Sequence, residues 1–209
     1  MFSLIKKVFL RIRRIPRYLL VKRYKLGSFH VSNEEDKKYV SAIKNHLNQR
    51  INRNSVIEIG VGLGDILLGL NFKKLVGADH KQEVLGAIKF RYSFQRNSKK
   101  NIIFKKLKFE TETINGTYDV VILVNWIHTI DSKTLKKKLE FIYKNNLSCG
   151  GEIIFDVVTD QTNPSIYKHR HSPQFLNKNI GSVIKSLGNF VISSKISGQN
   201  REIFSLIKK

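Results

Sequence analysis

Cysteine is nearly absent from this chain: Cys149 is the one thiol in 209 residues. A single thiol excludes an internal disulfide framework and any cysteine-based zinc cluster, and makes a reducing cytoplasm the default compartment. Long apolar runs are also missing, and no stretch approaches the roughly 18 residues of a membrane-spanning helix. Acids are scarce: 16 Asp and Glu stand against 38 Lys and Arg, for a formal charge of +22. Nine of the basic residues precede the first acid, Glu34. Such an excess attracts polyanions, whether RNA, DNA or anionic lipid, without choosing among them. A Lys- and Asn-rich composition with no polyanion partner is the plainer reading for the body of the chain.

Hydrophobic content of 41% and charged content of 26% are ordinary for a soluble protein. The length fits one domain with a full core and an N-terminal appendage. Residues 1–30 form the basic segment and residues 31–209 the domain. In the segment, Phe2, Ile5, Phe9 and Ile12 recur at helical spacing, with Lys6, Arg13 and Arg17 largely off that face. Pro16 interrupts the pattern. The stretch has neither the long apolar centre nor the small-residue cleavage site of a secretory signal. Residues 1–27 suit an anionic membrane surface. The alternatives are a first helix packed on the domain or a basic arm on nucleic acid. The membrane reading expects removal of residues 1–27 to release the protein from anionic liposomes.

Beyond the segment, apolar periodicity alternates between strand and helix. Ser32 and Glu35 make a capping box for a helix carrying Val40, Ile43 and Leu47. Ser55–Ile59, Lys74–Ala78, Ile102–Phe104, Tyr118–Val124 and Gly151–Val157 read as five strands. Between them fall a short helix at Ile66–Leu70, one marked by Val84, Leu85 and Ile88, and one capped by Asp131 or Ser132. A last helix is expected from Ser172-Pro173, with Leu176, Ile180, Ile184 and Leu187 inward and Gly188 closing it. Phe190–Ile196 and Glu202–Ile207 then form an antiparallel hairpin, since no helix fits between them. The expected fold is α/β and Rossmann-like: a mainly parallel seven-stranded sheet with a C-terminal antiparallel hairpin and helices on both faces, preceded by a basic N-terminal helix.

The most informative stretch is Val56-Ile57-Glu58-Ile59-Gly60-Val61-Gly62-Leu63-Gly64-Asp65. Glycines at a strand-to-helix turn let the backbone approach a ligand that a Cβ would exclude. A dinucleotide fingerprint would need a third glycine where Asp65 stands, and no Gly-Lys-Ser/Thr follows to make a Walker loop. What remains, E-x-G-x-G-x-G, resembles motif I of the class I S-adenosylmethionine (SAM)-dependent methyltransferases. Asp79, at the end of the second strand, suits the hydrogen bonds of two ribose hydroxyls and supports a nucleoside cofactor in general. An ordinary strand-end turn is the alternative.

The resemblance covers about residues 50–207 and implies SAM as cofactor. It implies a cofactor site of Glu58, Gly60, Gly62, Gly64, Asp79, His80, Phe109 and Asn125. Glu58 would organise the turn near the methionine end. Lys108 stands where the family commonly places an acid for the adenine amino group, and Phe109 either flanks the adenine or fills the core. Asn125 lines the cleft at the end of the fourth strand. The Asn/Asp-Pro-Pro-aromatic motif of base-directed amino methyltransferases is missing after that strand, and Cys149 is wrongly placed for a cytosine-C5 nucleophile.

His128 is placed to take a proton from a hydroxyl nucleophile; the alternative is a structural helix-start histidine. His169 and His171, with Asp156, Asp160, Tyr167 and Arg170, form a second polar cluster able to supply the base or grip sugar hydroxyls or a phosphate. No carboxylate spacing marks a metal site there. The expected activity is methyl transfer to a hydroxyl or amine of a small molecule, with a bacterial sugar or cell-surface glycan intermediate favoured. An RNA methyltransferase and a non-catalytic SAM-fold scaffold are the alternatives. The expected location is cytoplasmic, at the inner face of a membrane if residues 1–27 bind lipid.

Overall fold

The computed structural model describes residues 17–31, 37–93, 101–158, 169, 171, 183–193 and 198–208. The helical pattern over 1–16, the capping box at Ser32 and Glu35, and Asp160, Tyr167 and Arg170 lie outside the described residues.

Strands β1 (Ser55–Ile59), β2 (Lys74–Asp79), β3 (Asn101–Lys106), β4 (Tyr118–Leu123) and β5 (Leu147–Val158) run parallel, and β6 (Val183–Ser193) and β7 (Gly198–Ile207) complete one sheet. The order is β3-β2-β1-β4-β5-β7-β6, with β7 antiparallel to both β5 and β6. Parallel strands covered on both faces read as continuous apolar runs, and β4 is buried at every position. Helix α1, seen over residues 17–23, precedes the sheet. Helices α2 (Lys38–Asn48), α3 (Gln82–Ser93) and α4 (Ser132–Phe141) follow.

The core is split by the sheet. On one face Ile57, Val76, Val121 and Phe155 pack with Leu135 and Leu139 of α4. On the other, Val56, Leu75, Ile122 and Ile154 meet Tyr39, Val40, Ile43 and Leu47 of α2 and Leu85 and Ile88 of α3. A smaller cluster joins Leu20 and Val21 of α1 to Leu63 and Ala87. Residues 17–31 therefore pack on the α/β body, on the near side of the boundary drawn at residue 30.

One expected element is corrected in its last part, while its start at Ser172-Pro173, with Leu176 and Ile180, lies outside the described residues. Ile184, Leu187 and Gly188 belong to strand β6, where Ile184 pairs with Leu206 and Gly188 with Ile203. The spacing of Leu176, Ile180, Ile184 and Leu187 fits a helix. The β-branched Val183, Ile184, Val191 and Ile192 fit a strand better, and the length of β7 offers them a partner. Strand β5 also begins earlier than expected, at Leu147, straight after a π-helical turn at Ile142–Asn146.

Strand order reverses between β1 and β4, which both pair in parallel with one another while β2 lies beyond β1 and β5 beyond β4. In such sheets the crevice at the carboxyl ends of these strands takes the ligand.

Candidate functional site

The loop after β1 turns on three glycines in left-handed backbone: Gly60 at φ +70°, Gly62 at +53° and Gly64 at +74°. A side chain is strained at such angles. Space forbids one as well. A Cβ on Gly60 would stand 2.1 Å from Cδ1 of Trp126, and one on Gly64 would stand 2.6 Å from Cδ1 of Ile88. The loop is pinned to β2, because the N–H groups of Gly60 and Val61 both donate to the Ala78 carbonyl, at 2.8 and 3.0 Å.

Glu58 lies inside this turn, where its carboxylate accepts the Leu67 N–H at 2.9 Å and opens the short 3-10 turn Leu67–Gly69. Burial pushes its carboxyl up to about 8 despite that hydrogen bond. Asp79 closes β2, largely buried, and accepts the Lys81 N–H at 3.0 Å. His80 follows at the surface, its Nδ1 3.5 Å from the Asp79 carboxylate. Asn125 adopts φ +64°, tolerable for this residue type. Its N–H donates to Asp156 Oδ1 at 2.7 Å and its side-chain amide to the Tyr39 hydroxyl at 3.1 Å. Asp156 therefore holds the bend that presents Asn125.

The carboxyl ends of the neighbouring strands β1, β2 and β4 thus carry the glycine loop, Asp79 and Asn125, with Glu58 near the end of β1. Phe109 takes the core position, one of its two expected places. It is enclosed in the core, edge-on to Trp126 at a ring separation of 5.3 Å. Leu107 donates its N–H to the Asp79 carbonyl at 3.0 Å and, with Ile57, Ala78 and Tyr118, lines a cavity of about 450 Å³.

The histidines form a second group after β4. The N–H of His169 donates to the His128 carbonyl at 3.1 Å, which ties the later segment to the turn Ile127–Thr129. His171 is buried, and its Nε2 faces two carbonyls, Ile127 at 3.0 Å and Ile130 at 2.9 Å. Two acceptors require a proton on Nε2, which leaves Nδ1 to face the Ser132 hydroxyl at 3.3 Å. Burial lowers the pKa of His171 and favours this neutral form. A ring held at both nitrogens fastens the turn Ile127–Thr129 to the later segment.

Other neighbours of the loop carry no motif. Asp65 accepts from Arg17, Lys37 and Arg91. Burial would raise its carboxyl, yet the hydrogen bonds and charge of Arg17, with Lys37 and Arg91, hold it well below the usual carboxylate range. His30 lies against Gly62, with Cε1 3.3 Å from where a Cβ would be. Its pKa falls to about 4 through burial and the charges of Lys37 and Arg17.

No protein-family model and no curated protein sequence matches the chain. Solved structures do resemble it. Magnesium protoporphyrin IX methyltransferase (ChlM) from Synechocystis PCC 6803, solved with bound S-adenosylhomocysteine (SAH), superposes with a TM-score of 0.68 at 12% identity, covering 98% of this chain and 100% of that one. The N-methyltransferase NodS from Bradyrhizobium japonicum WM9 gives 0.64 at 12% identity, over 83% of this chain and 96% of that one. YcgJ from Bacillus subtilis gives 0.65 at 10% identity, over 83% and 99%. The chain has the class I SAM-dependent methyltransferase fold.

Proposed function

We propose that the protein is a SAM-dependent methyltransferase acting on a hydroxyl or amine of a small molecule, with a sugar or cell-surface glycan intermediate as the favoured acceptor. The observation that carries this reading is the three-glycine loop at the β1–β4 reversal with Asp79 at the neighbouring strand end. When bound, the cofactor supplies a methyl group on a sulfonium. The protein's part is to align that group with the acceptor and to manage one proton. Gly60, Gly62 and Gly64 give the turn its left-handed shape beneath Trp126, His30 and Ile88, Asp79 and His80 would take the ribose, and Asn125 would face the cofactor from the end of β4. Glu58, kept neutral by burial, would lie near the methionine end and could give up its proton to match a cationic group there. His128 takes the acceptor's proton, with His169 beside it.

The favoured acceptor rests on the missing base-methylation motif and on a basic N-terminal segment suited to a membrane where lipid-linked glycans are built. The working location is cytoplasmic, peripheral to the membrane through residues 1–27. Among the described residues no helix is long and apolar enough to cross a membrane. An RNA acceptor is favoured by a separate observation: Lys73, Lys74, Lys105, Lys106 and Lys108 are all exposed along the β2–β3 side of the sheet.

Calorimetry is expected to show binding of SAH and none of NAD. Binding of NAD alone would end the methyltransferase reading. Methyl-labelled SAM with cell fractions then separates the acceptors. Label in glycan supports the first reading, and label in RNA with steeply salt-dependent binding supports the second. Cofactor binding with no transfer to any fraction marks a non-catalytic scaffold.

A further inference from the structure

Asp65 occupies the position where a dinucleotide loop would carry glycine, and the structure gives its carboxylate three cations. Arg17 approaches with both terminal nitrogens, at 2.8 and 2.9 Å, Lys37 at 3.0 Å and Arg91 at 2.8 Å. The Asp65 side chain is only 10% exposed and that of Arg17 only 9%. Arg17 also donates its Nε–H to the His30 carbonyl. One guanidinium therefore binds the loop with its fork and the far end of residues 17–31 with its Nε–H. From α3, Arg91 donates to the Leu63 carbonyl as well as to Asp65.

Apolar contacts repeat the same connection. Leu20 and Val21 pack on Leu63, which lies between Gly62 and Gly64, and on Ala87. Tyr24 fills the space over Gly86, where a Cβ would come within 2.9 Å of its ring, and Arg23 lies 4.8 Å over Phe90. At the other end the His30 ring rests on Gly62. Residues 17–31 thus touch the glycine loop at Gly62, Leu63 and Asp65. Glycine adopts the left-handed angles of Gly60, Gly62 and Gly64 freely, so the shape of this loop must be fixed by its surroundings. These contacts supply them.

We propose that residues 17–31 are a clasp whose closure, through Arg17 on Asp65, holds the glycine loop in its cofactor-binding shape. Arg17 and Asp65 are then positioning residues. The inference rests on the methyltransferase reading and extends it to control of the same site. Linkage makes the coupling reciprocal: closure strengthens cofactor binding, and bound cofactor holds the clasp closed by the same factor.

The experiment uses the full chain, with SAH as the ligand, and two readouts. One is the SAH dissociation constant of the wild type, Asp65→Asn, Arg17→Met and Arg17→Lys. The other is the rate of tryptic cleavage after Lys22, Arg23 and Lys25, followed by mass spectrometry with and without SAH. Asp65→Asn and Arg17→Met should each weaken SAH at least tenfold and speed cleavage at these bonds by a similar factor, with Arg17→Lys recovering part of both. SAH should slow cleavage in the wild type, a comparison that needs no variant to fold. Equal SAH affinity in all four proteins, or cleavage after Lys22–Lys25 that SAH does not slow, would overturn the clasp. A wild type that binds no SAH would instead overturn the methyltransferase reading, and is seen before any variant is made.

Discussion

Glu58 carries the most testable chemistry at the scale of a single residue. Its carboxyl titrates at about 8 when folded, against an ordinary value of 4.5. A group whose folded pKa is raised contributes stability fully below its unfolded pKa, and that contribution is lost as pH rises through the folded one. Denaturant unfolding between pH 4.5 and 9 should therefore show stability declining toward pH 8 and levelling above it. Glu58→Gln keeps the volume and the acceptor for the Leu67 N–H but cannot ionise, so this part of the decline should vanish. SAM, a cation at its methionine end, should bind more tightly as pH rises toward 8. Calorimetry in buffers of different ionisation heat should detect a released proton in the wild type and none in Glu58→Gln. An unchanged proton count in the variant would assign the titration to another group.

At the scale of elements, the β5 carboxylate of Glu152 joins α2 to the C-terminal hairpin. It accepts from His46 at 2.9 Å and from Arg50, both on or just after α2, and from the Ser205 hydroxyl of β7. Glu152 is fully buried. Burial would raise its pKa, but the hydrogen bonds of His46 and Ser205 and the charge of Arg50 outweigh it and hold the carboxyl low. A depressed folded pKa gives stability that is present above the unfolded value and lost as pH falls through the folded one. This part of the acid limb should disappear in Glu152→Ala. That variant should also lose about 3–5 kcal/mol at neutral pH, the usual result of leaving a buried charge unpaired. Urea unfolding measures both effects. A loss within 1 kcal/mol would show that Arg50 finds water instead.

At the scale of the whole molecule, the N-terminal segment divides differently from its composition. Charge and periodicity group residues 1–27 together, but Arg17, Leu20 and Val21 are buried against the body. Deletion of residues 1–16 should lower binding to anionic liposomes and leave SAH binding within about twofold. Deletion of residues 1–31 should weaken SAH at least tenfold and lower the melting temperature, because it removes the clasp and the cover of Leu63. Co-sedimentation and calorimetry check both. If the shorter deletion leaves liposome binding unchanged, the membrane reading fails and the charge is left to RNA or to composition.

Much of the architecture was legible in the chain because its signals are local. Buried parallel strands such as Tyr118–Leu123 show as uninterrupted apolar runs, and glycines at every second position have few uses besides a left-handed turn. Asp79 and Asn125 were placed by lying at the ends of such runs. Long-range partners leave no such mark. Arg17 and Asp65 are 48 residues apart, and neither differs in sequence from a surface charge. Nothing in the sequence marks the two carbonyls, 41 and 44 residues away, that face Nε2 of His171. Ile184 and Leu187 fit a helix by spacing and became strand because β7 was there to pair with them. The sequence by itself determined the alternation of elements and the three-glycine turn, since periodicity and glycine's backbone freedom act within a few residues. Only the tertiary structure decided which charges hold that loop, because Coulomb attraction and burial depend on distance in space.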